Sequence, residues 1–420
     1  MKPIFFVLVL ALSQIICRAS ELSPSESMPI RYQKDAVVNS LRCLETSRGD
    51  EERIAKLRNW VAESLSDLGD IQGAISTLKG TKPHYHVPFG CVDSAIILLG
   101  HGQLTAVGEL LSMSLDLLPY ALGHSAELVQ FQVLRLATVV DDSRTIQRAW
   151  EAEKLTGANF KPAYESFLQD WQPNIWNMIL DRLFPNRHWD SLARNATRDE
   201  EIAWKSKRTV DYYTGLILLR KAKASVRAKQ SYPASWIRFV KGGIRAPAIN
   251  TRPAGLSAEL AELALVEGRS AASLHLVEET WKLLGGWAPQ MSGIYRIERD
   301  LALILGKLQN SQKLQDEAKD RITTRTEILI KHLDPFEQMI QLPVLAEAFY
   351  ALGAAEQAQK NWKVAADLCS QSQNPESQSA GLTRIWMSYA RANTWPSKET
   401  EASLERIEKQ LPAAYSKVNF

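Results

Sequence analysis

From about residue 33 onward, apolar side chains recur at spacings of three and four, and no other feature constrains the fold as strongly. The stripe Ile54, Leu57, Val61, Leu65, Leu68 is one clear instance. That spacing puts the apolar residues on one face of a helix with 3.6 residues per turn. No segment alternates apolar and polar residues for more than a few positions, so strands are not expected. Ala, Leu, Glu, Lys, Gln and Arg dominate, all good helix formers. Breaks are short and consist of Gly, Pro or Asn-Pro, which stop helices without opening long loops. The pattern predicts an all-α fold.

The breaks are spaced evenly enough to suggest repeats. Around Gly353, in "LAEAFYALGAAEQAQKNWKVAADL" (345–368), Ala346 lies seven residues before the glycine and Phe349 four before. Ala358, Trp362 and Ala365 follow at five, nine and twelve. The same register at Gly69 selects Ala62, Leu65, Ala74, Leu78 and Thr81. At Gly102 it selects Ala95, Leu98, Val107, Leu111 and Ser114, and at Gly268 Ala261, Ala264, Ser273, Val277 and Thr280. The segment at 345–368 resembles the tetratricopeptide repeat closely, and the other three resemble it more loosely. Gly69 and Gly102 are 33 residues apart, against a repeat period of about 34. The resemblance covers about half of the chain. Segments 125–157 and 294–332 read as further helix pairs without the signature. The resemblance implies a superhelical solenoid of antiparallel helix pairs. In such pairs small residues let the helices approach and glycine starts the turn between them. It predicts N-terminal repeats over 33–160, a divergent central helical segment over 161–255, and C-terminal repeats over 256–420.

The chain opens with "MKPIFFVLVLALSQIICRAS", in which Lys2 precedes an apolar run and small residues flank a cut after Ala19. This is a secretory signal pattern, and the run is shorter than the ~20 residues of a spanning helix. The bulky Ile16 before Cys17 argues against a lipid anchor. Residues 20–32 are polar and Pro- and Ser-containing, and read as a disordered lead-in. No later stretch is apolar enough to cross a bilayer. The expected location is the bacterial periplasm or the extracellular medium. The mature chain keeps Cys43, Cys91 and Cys369. A Cys43–Cys91 disulfide stays open, but three buried thiols fit better, because a chain of this length needs no staples. "RNAT" (194–197) matches a glycosylation acceptor, relevant only in a eukaryotic secretory pathway.

The stretch "KPHYHVPFGCVD" (82–93) places His84 and His86 two residues apart, with Cys91, Asp93 and His101 as further ligand types nearby. A structural zinc site wants four placed ligands, often with paired cysteines, and only one cysteine is near. With Pro83 and Pro88 barring a continuous helix, the stretch reads as a joint between helices. Asp93 or Ser94 is expected to help start the next one.

The formal net charge of +3 hides an uneven distribution. Residues 205–252 hold twelve Lys or Arg and one acid, Asp211. Five of the twelve tryptophans also fall in the middle, at Trp171, Trp176, Trp189, Trp204 and Trp236. On the helix predicted around 206–229, Val210, Tyr213, Ile217 and Ala224 form an apolar face, and Lys207, Arg220, Lys221, Lys223, Arg227 and Lys229 crowd the rest. Charge runs usually end as solvated faces paired with acids elsewhere. The functional alternative is a surface for a polyanion or an anionic membrane, using Arg220, Lys221, Lys223, Arg227 and Lys229. Export argues against nucleic acid as the partner. "GGIRAPAINTRPAG" (242–255) is expected to be a loop.

No G-x-S-x-G, H-E-x-x-H, P-loop or Rossmann glycine pattern occurs, and no cofactor is implied. Adjacent acids such as Glu278–Glu279 diverge by about 100° on a helix and do not face each other. An all-helical, toroidal carbohydrate enzyme would need carboxylates converging from distant helices. The resemblance implies a concave surface made by the first helix of each pair. There Lys56, Asn59, Glu63, Glu262, Glu347 and Tyr350 are the candidate contacts, and the acids predict a basic or polar extended peptide. The expected function is therefore a non-enzymatic scaffold or adaptor for an unidentified protein or peptide. The alternatives are a polyanion-binding module at 205–252 and a helical carbohydrate-active enzyme.

Overall fold

The computed structural model describes residues 51–121, 124–152, 212–244, 252–285, 293–308 and 311–417. Among them are sixteen α-helices and one short 3-10 turn, with no strand. The signal segment, the lead-in, Cys43, Lys207, Val210, Trp171, Trp176, Trp189, Trp204 and the 194–197 motif lie outside the described residues.

The helices come in pairs joined by short turns. In chain order the first six are α1 (Glu51–Asp67), α2 (Ile71–Lys79), α3 (Val87–Gly100), α4 (Leu104–Asp116), α5 (His124–Val139) and α6 (Ser143–Glu151). Then come α7 (Tyr212–Arg227), α8 (Ala234–Ile244), α9 (Arg252–Val266), α10 (Ser270–Leu284) and α11 (Gly293–Lys307). The last five are α12 (Gln312–His332), α13 (Pro335–Ala351), α14 (Ala355–Gln371), α15 (Pro375–Ala392) and α16 (Lys398–Lys417). In each pair the first helix packs on the second.

Seven of the turns share one backbone design. A residue one or two past the end of the first helix takes positive φ: Gly69, Gly102, Gly268 and Gly353 at 73° to 77°, and Asp141, Lys229 and Asn393 at 53° to 59°. At Gly353 the amide donates to Tyr350 O, and the next amide donates to Phe349 O. The same two bonds recur at the other six turns. They use carbonyls that a helix end leaves without partners. All four glycines of the sequence register are such residues. Glycine carries no steric cost in this conformation, whereas other residues pay for it.

The other positions of the register are spent on packing. Ala346, Phe349, Ala358, Trp362 and Ala365 are buried around Gly353, and so are the fifteen counterparts around Gly69, Gly102 and Gly268. Trp362 is fully buried, stacks on Tyr389 at 4.1 Å and donates its ring N–H to Ser388 Oγ at 2.8 Å. Cys91 and Cys369 are free and buried. Burial pushes both thiols up, Cys369 to about 12, so neither is a nucleophile at neutral pH.

Two sequence expectations change. Asp93 does not start a helix: α3 begins at Val87 with Pro88 in its first turn, and Asp93 lies one and a half turns further in. The expected loop 242–255 is partly helical, because α8 runs to Ile244 and α9 starts at Arg252. That last helix also runs across the expected 255/256 boundary.

The first helices close a circuit. α1 packs on α3, α3 on α7, α7 on α9, α9 on α11, α11 on α13, α13 on α15, and α15 back on α1. α5 sits against α3 and α7 outside that junction. At the seam, Arg391 of α15 donates to Ser64 Oγ of α1 at 3.0 Å, and the Arg384 guanidinium lies over the Trp60 ring at 4.7 Å. The apolar core crosses the seam as well, since Ile340, Ala380, Met387 and Ala390 belong to the same buried cluster as Leu57, Val61 and Leu65.

Candidate ligand cavity

The seven helices of the circuit surround a central space with two lobes of about 590 and 600 Å³. Seven residues line both: Asp67, Arg220, Glu259, Arg296, Arg299, Asp300 and Arg391. Each lobe has the size of a small-ligand site. The walls are unusually ionic. Six acids and six arginines line the first lobe. The second adds Glu262, Glu347, Arg227 and Lys307, which makes eight charges of each sign. Trp60, Tyr212, Tyr213 and Phe336 give the first lobe aromatic surface.

In the second lobe Glu259, Glu262, Glu347 and Asp300 each meet a cation. Lys223 is 1 % exposed and bonds both Glu259 and Glu262, while Arg220 also bonds Glu259. Burial works against the charge of both glutamates, but Lys223 and Arg220 outweigh it and hold them low, Glu262 at about 2. Glu347, 3 % exposed, accepts two bonds from Arg391, at 2.7 and 3.1 Å, and Arg299 approaches it at 3.5 Å. Arg299 also bonds Asp300. Arg227 donates to the carbonyl of Gly100.

Three charges that line only the first lobe, Glu63, Asp93 and Arg384, stay apart from counter-ions among the described residues, as does Arg296, which lines both. Glu63 and Asp93 make no hydrogen bond or ion pair among the described residues. Burial pushes both carboxyls up, Asp93 to about 7, where the nearness of Glu63 adds to the shift and Arg296 opposes it. Arg296 has no acid within ion-pair distance among the described residues. Burial opposes its charge, and Asp300 and Glu63 at longer range sustain it. Arg384 is poorly matched. Its Nε has no partner among the described residues, and burial and the neighbouring Arg391 push the guanidinium down to about 9.

The expected peptide contacts divide between these environments. Glu63 lies in the first lobe, and Glu262, Glu347 and Tyr350 in the second. Lys56 is on the outer surface, bonded to Glu52 at 2.6 Å. Asn59 is buried and donates to His86 O at 2.7 Å. Glu262 and Glu347 are already neutralised by the chain's own cations, so only Glu63 of the three acids remains open to a basic peptide. Of the expected polyanion contacts, Arg220 and Lys223 point into the cavity walls and Arg227 reaches Gly100. Lys221 is half-buried, with burial lowering its ammonium pKa, and Lys229 is an exposed turn residue. His84 and His86 stack at 5.4 Å beside Glu52, and no metal-ligand cluster occurs among the described residues.

Sequence reasoning missed Asp67, Arg296, Arg299, Asp300, Arg384 and Arg391, and gave Asp93 only the roles of a candidate metal ligand or a helix start. A signal existed for some of them. Asp93 is the one charge in the apolar run "VPFGCVDSAIILLG", whose helix is buried on nearly all sides. A charge in such a helix has to face a cavity or a partner.

No protein-family model, no curated protein and no solved structure matches the chain. No helix among the described residues is long and apolar enough to cross a membrane.

Proposed function

We propose that this chain is an exported, non-enzymatic scaffold or adaptor of tetratricopeptide-like type that receives its partner in the central cavity. The seven alike turns and the twenty buried register positions support the expected solenoid of helix pairs. Because the last pair packs back on the first, the inner helices face a cavity and not an open groove. The partner is then a short charged segment presented into the ring, held in the bacterial periplasm or envelope. One observation carries this reading. Seven inner helices turn polar and charged side chains to a single space that packing leaves unfilled. Internal pairing of Arg220 and Lys223 weakens the alternative of a polyanion surface at 205–252.

The test is affinity purification from the native envelope fraction, with the mature chain and with an Arg384→Met/Glu63→Gln variant. One protein recovered in near-equal amount with the first and lost with the second is expected. Recovery of no protein, or equal recovery by both, overturns the reading.

A second reading, a helical carbohydrate-active enzyme, draws on the neighbouring Glu63 and Asp93. A carboxyl pushed up to about 7 beside a second carboxyl is a pattern of general acids. Polysaccharide turnover lost in Asp93→Asn would favour it over the adaptor.

A further inference from the structure

Arg299, Arg384 and Arg391 all line the first lobe, and two of them are held by an acid of the second. Arg391 and Arg299 both contact Glu347. Arg384, two turns before Arg391 on the same helix, has no carboxylate within ion-pair distance among the described residues and rests on the Trp60 ring. Across the lobe Arg296 also lacks such a contact, and both arginines act on Glu63. A guanidinium partly kept from water without a carboxylate, as Arg384 is with its unpartnered Nε, is costly and persists where a ligand supplies the missing charge. Arg296 is exposed to the lobe and free to meet the same ligand. Its planar fork of donors matches the oxygens of a carboxylate or a phosphate.

We propose that Arg384 and Arg296 form an oxyanion subsite of the cavity, taking a carboxylate or phosphate group, with the Trp60 ring flanking it and Glu63 between them. The proposal rests on the cavity being the recognition site. It reverses the sign expected from the acids in the sequence, because two of those acids are consumed by internal pairs. Asp93, pushed up to about 7, then serves the anion as a hydrogen-bond donor, and burial reduces the repulsion from Glu63.

The experiment is calorimetric titration of the full mature chain in low-chloride buffer at pH 6. The probes are inorganic phosphate, succinate, tetraglutamate and tetralysine. Saturable binding of phosphate or succinate is expected, at least tenfold weaker in Arg384→Met and in Arg296→Met and partly restored in Arg384→Lys. Binding of tetraglutamate but not the small anions would place the group on a partner polypeptide and keep the subsite. Thermal unfolding without probe separates ligand binding from folding. Arg384→Met should unfold no lower than the parent, because it removes an unmatched cation. Tetralysine binding that is lost in Glu63→Gln would overturn the subsite while leaving the cavity as the recognition site. Binding of no probe overturns both, and anion binding unchanged in both arginine variants overturns the subsite.

Discussion

The two lobes of the cavity hold the same kinds of residue and use them differently. In the second, Lys223 sits between Glu259 and Glu262, and Arg391 grips Glu347 with two bonds. In the first, Glu63, Asp93 and Arg384 share one space without touching, together with Arg296, which lines both. Closed ion pairs hold neighbouring inner helices together, because breaking one leaves a buried charge alone. Open charges do nothing for the fold and cost desolvation. On the proposed reading, the closed pairs serve the fold and the open charges serve a ligand.

The largest expected effect lies in the closed lobe. Lys223→Met leaves Glu259 and Glu262 short of their shared cation, and should cost about 3–5 kcal/mol in denaturant unfolding. A loss below about 1 kcal/mol would erase the contrast between the lobes.

Asp93 tests the open lobe through pH. Its folded carboxyl titrates near 7, above its ordinary 3.8, so the folded chain binds that proton more tightly than the unfolded chain. The associated stability is full below about pH 4 and is lost as the pH rises toward 7. Asp93→Asn removes this slope. Unfolding midpoints between pH 4 and pH 8 should show the variant gaining on the parent up to pH 7 and holding steady above it. Parallel curves would mean that Asp93 is not shielded in the cavity. At the small end, Lys56→Ala breaks only the exposed pair with Glu52 and should leave the melting temperature unchanged. A clear drop would show that the outer surface contributes more than its exposure implies.

Much of the fold is legible because it is local. Helical spacing gives the class, and Gly353, Phe349 and Trp362 reveal a turn and the packing beneath it within some thirteen residues. Asp141, Lys229 and Asn393 carry the same turn without glycine, so the register passes over their pairs. The closure of α15 on α1 is not legible, because it joins Arg391 to Ser64 across 327 residues. The site follows from that closure. Glu63 and Glu347 can be picked from sequence as residues of first helices, but which of them meets an arginine depends on how the circuit returns. The basic run at 205–252 also looked like surface. Its acids, Glu259 and Glu262, lie 36 and 39 residues from Lys223, on the neighbouring inner helix.

The most direct measurement is a side-by-side melt of Arg391→Met and Arg384→Met, each with and without inorganic phosphate. The account predicts that Arg391→Met melts well below the parent and still responds to phosphate. Arg384→Met should melt at or above the parent and lose the response. Equal destabilisation by both, with the phosphate response intact in each, would contradict the division of the cavity into a closed lobe and an open one.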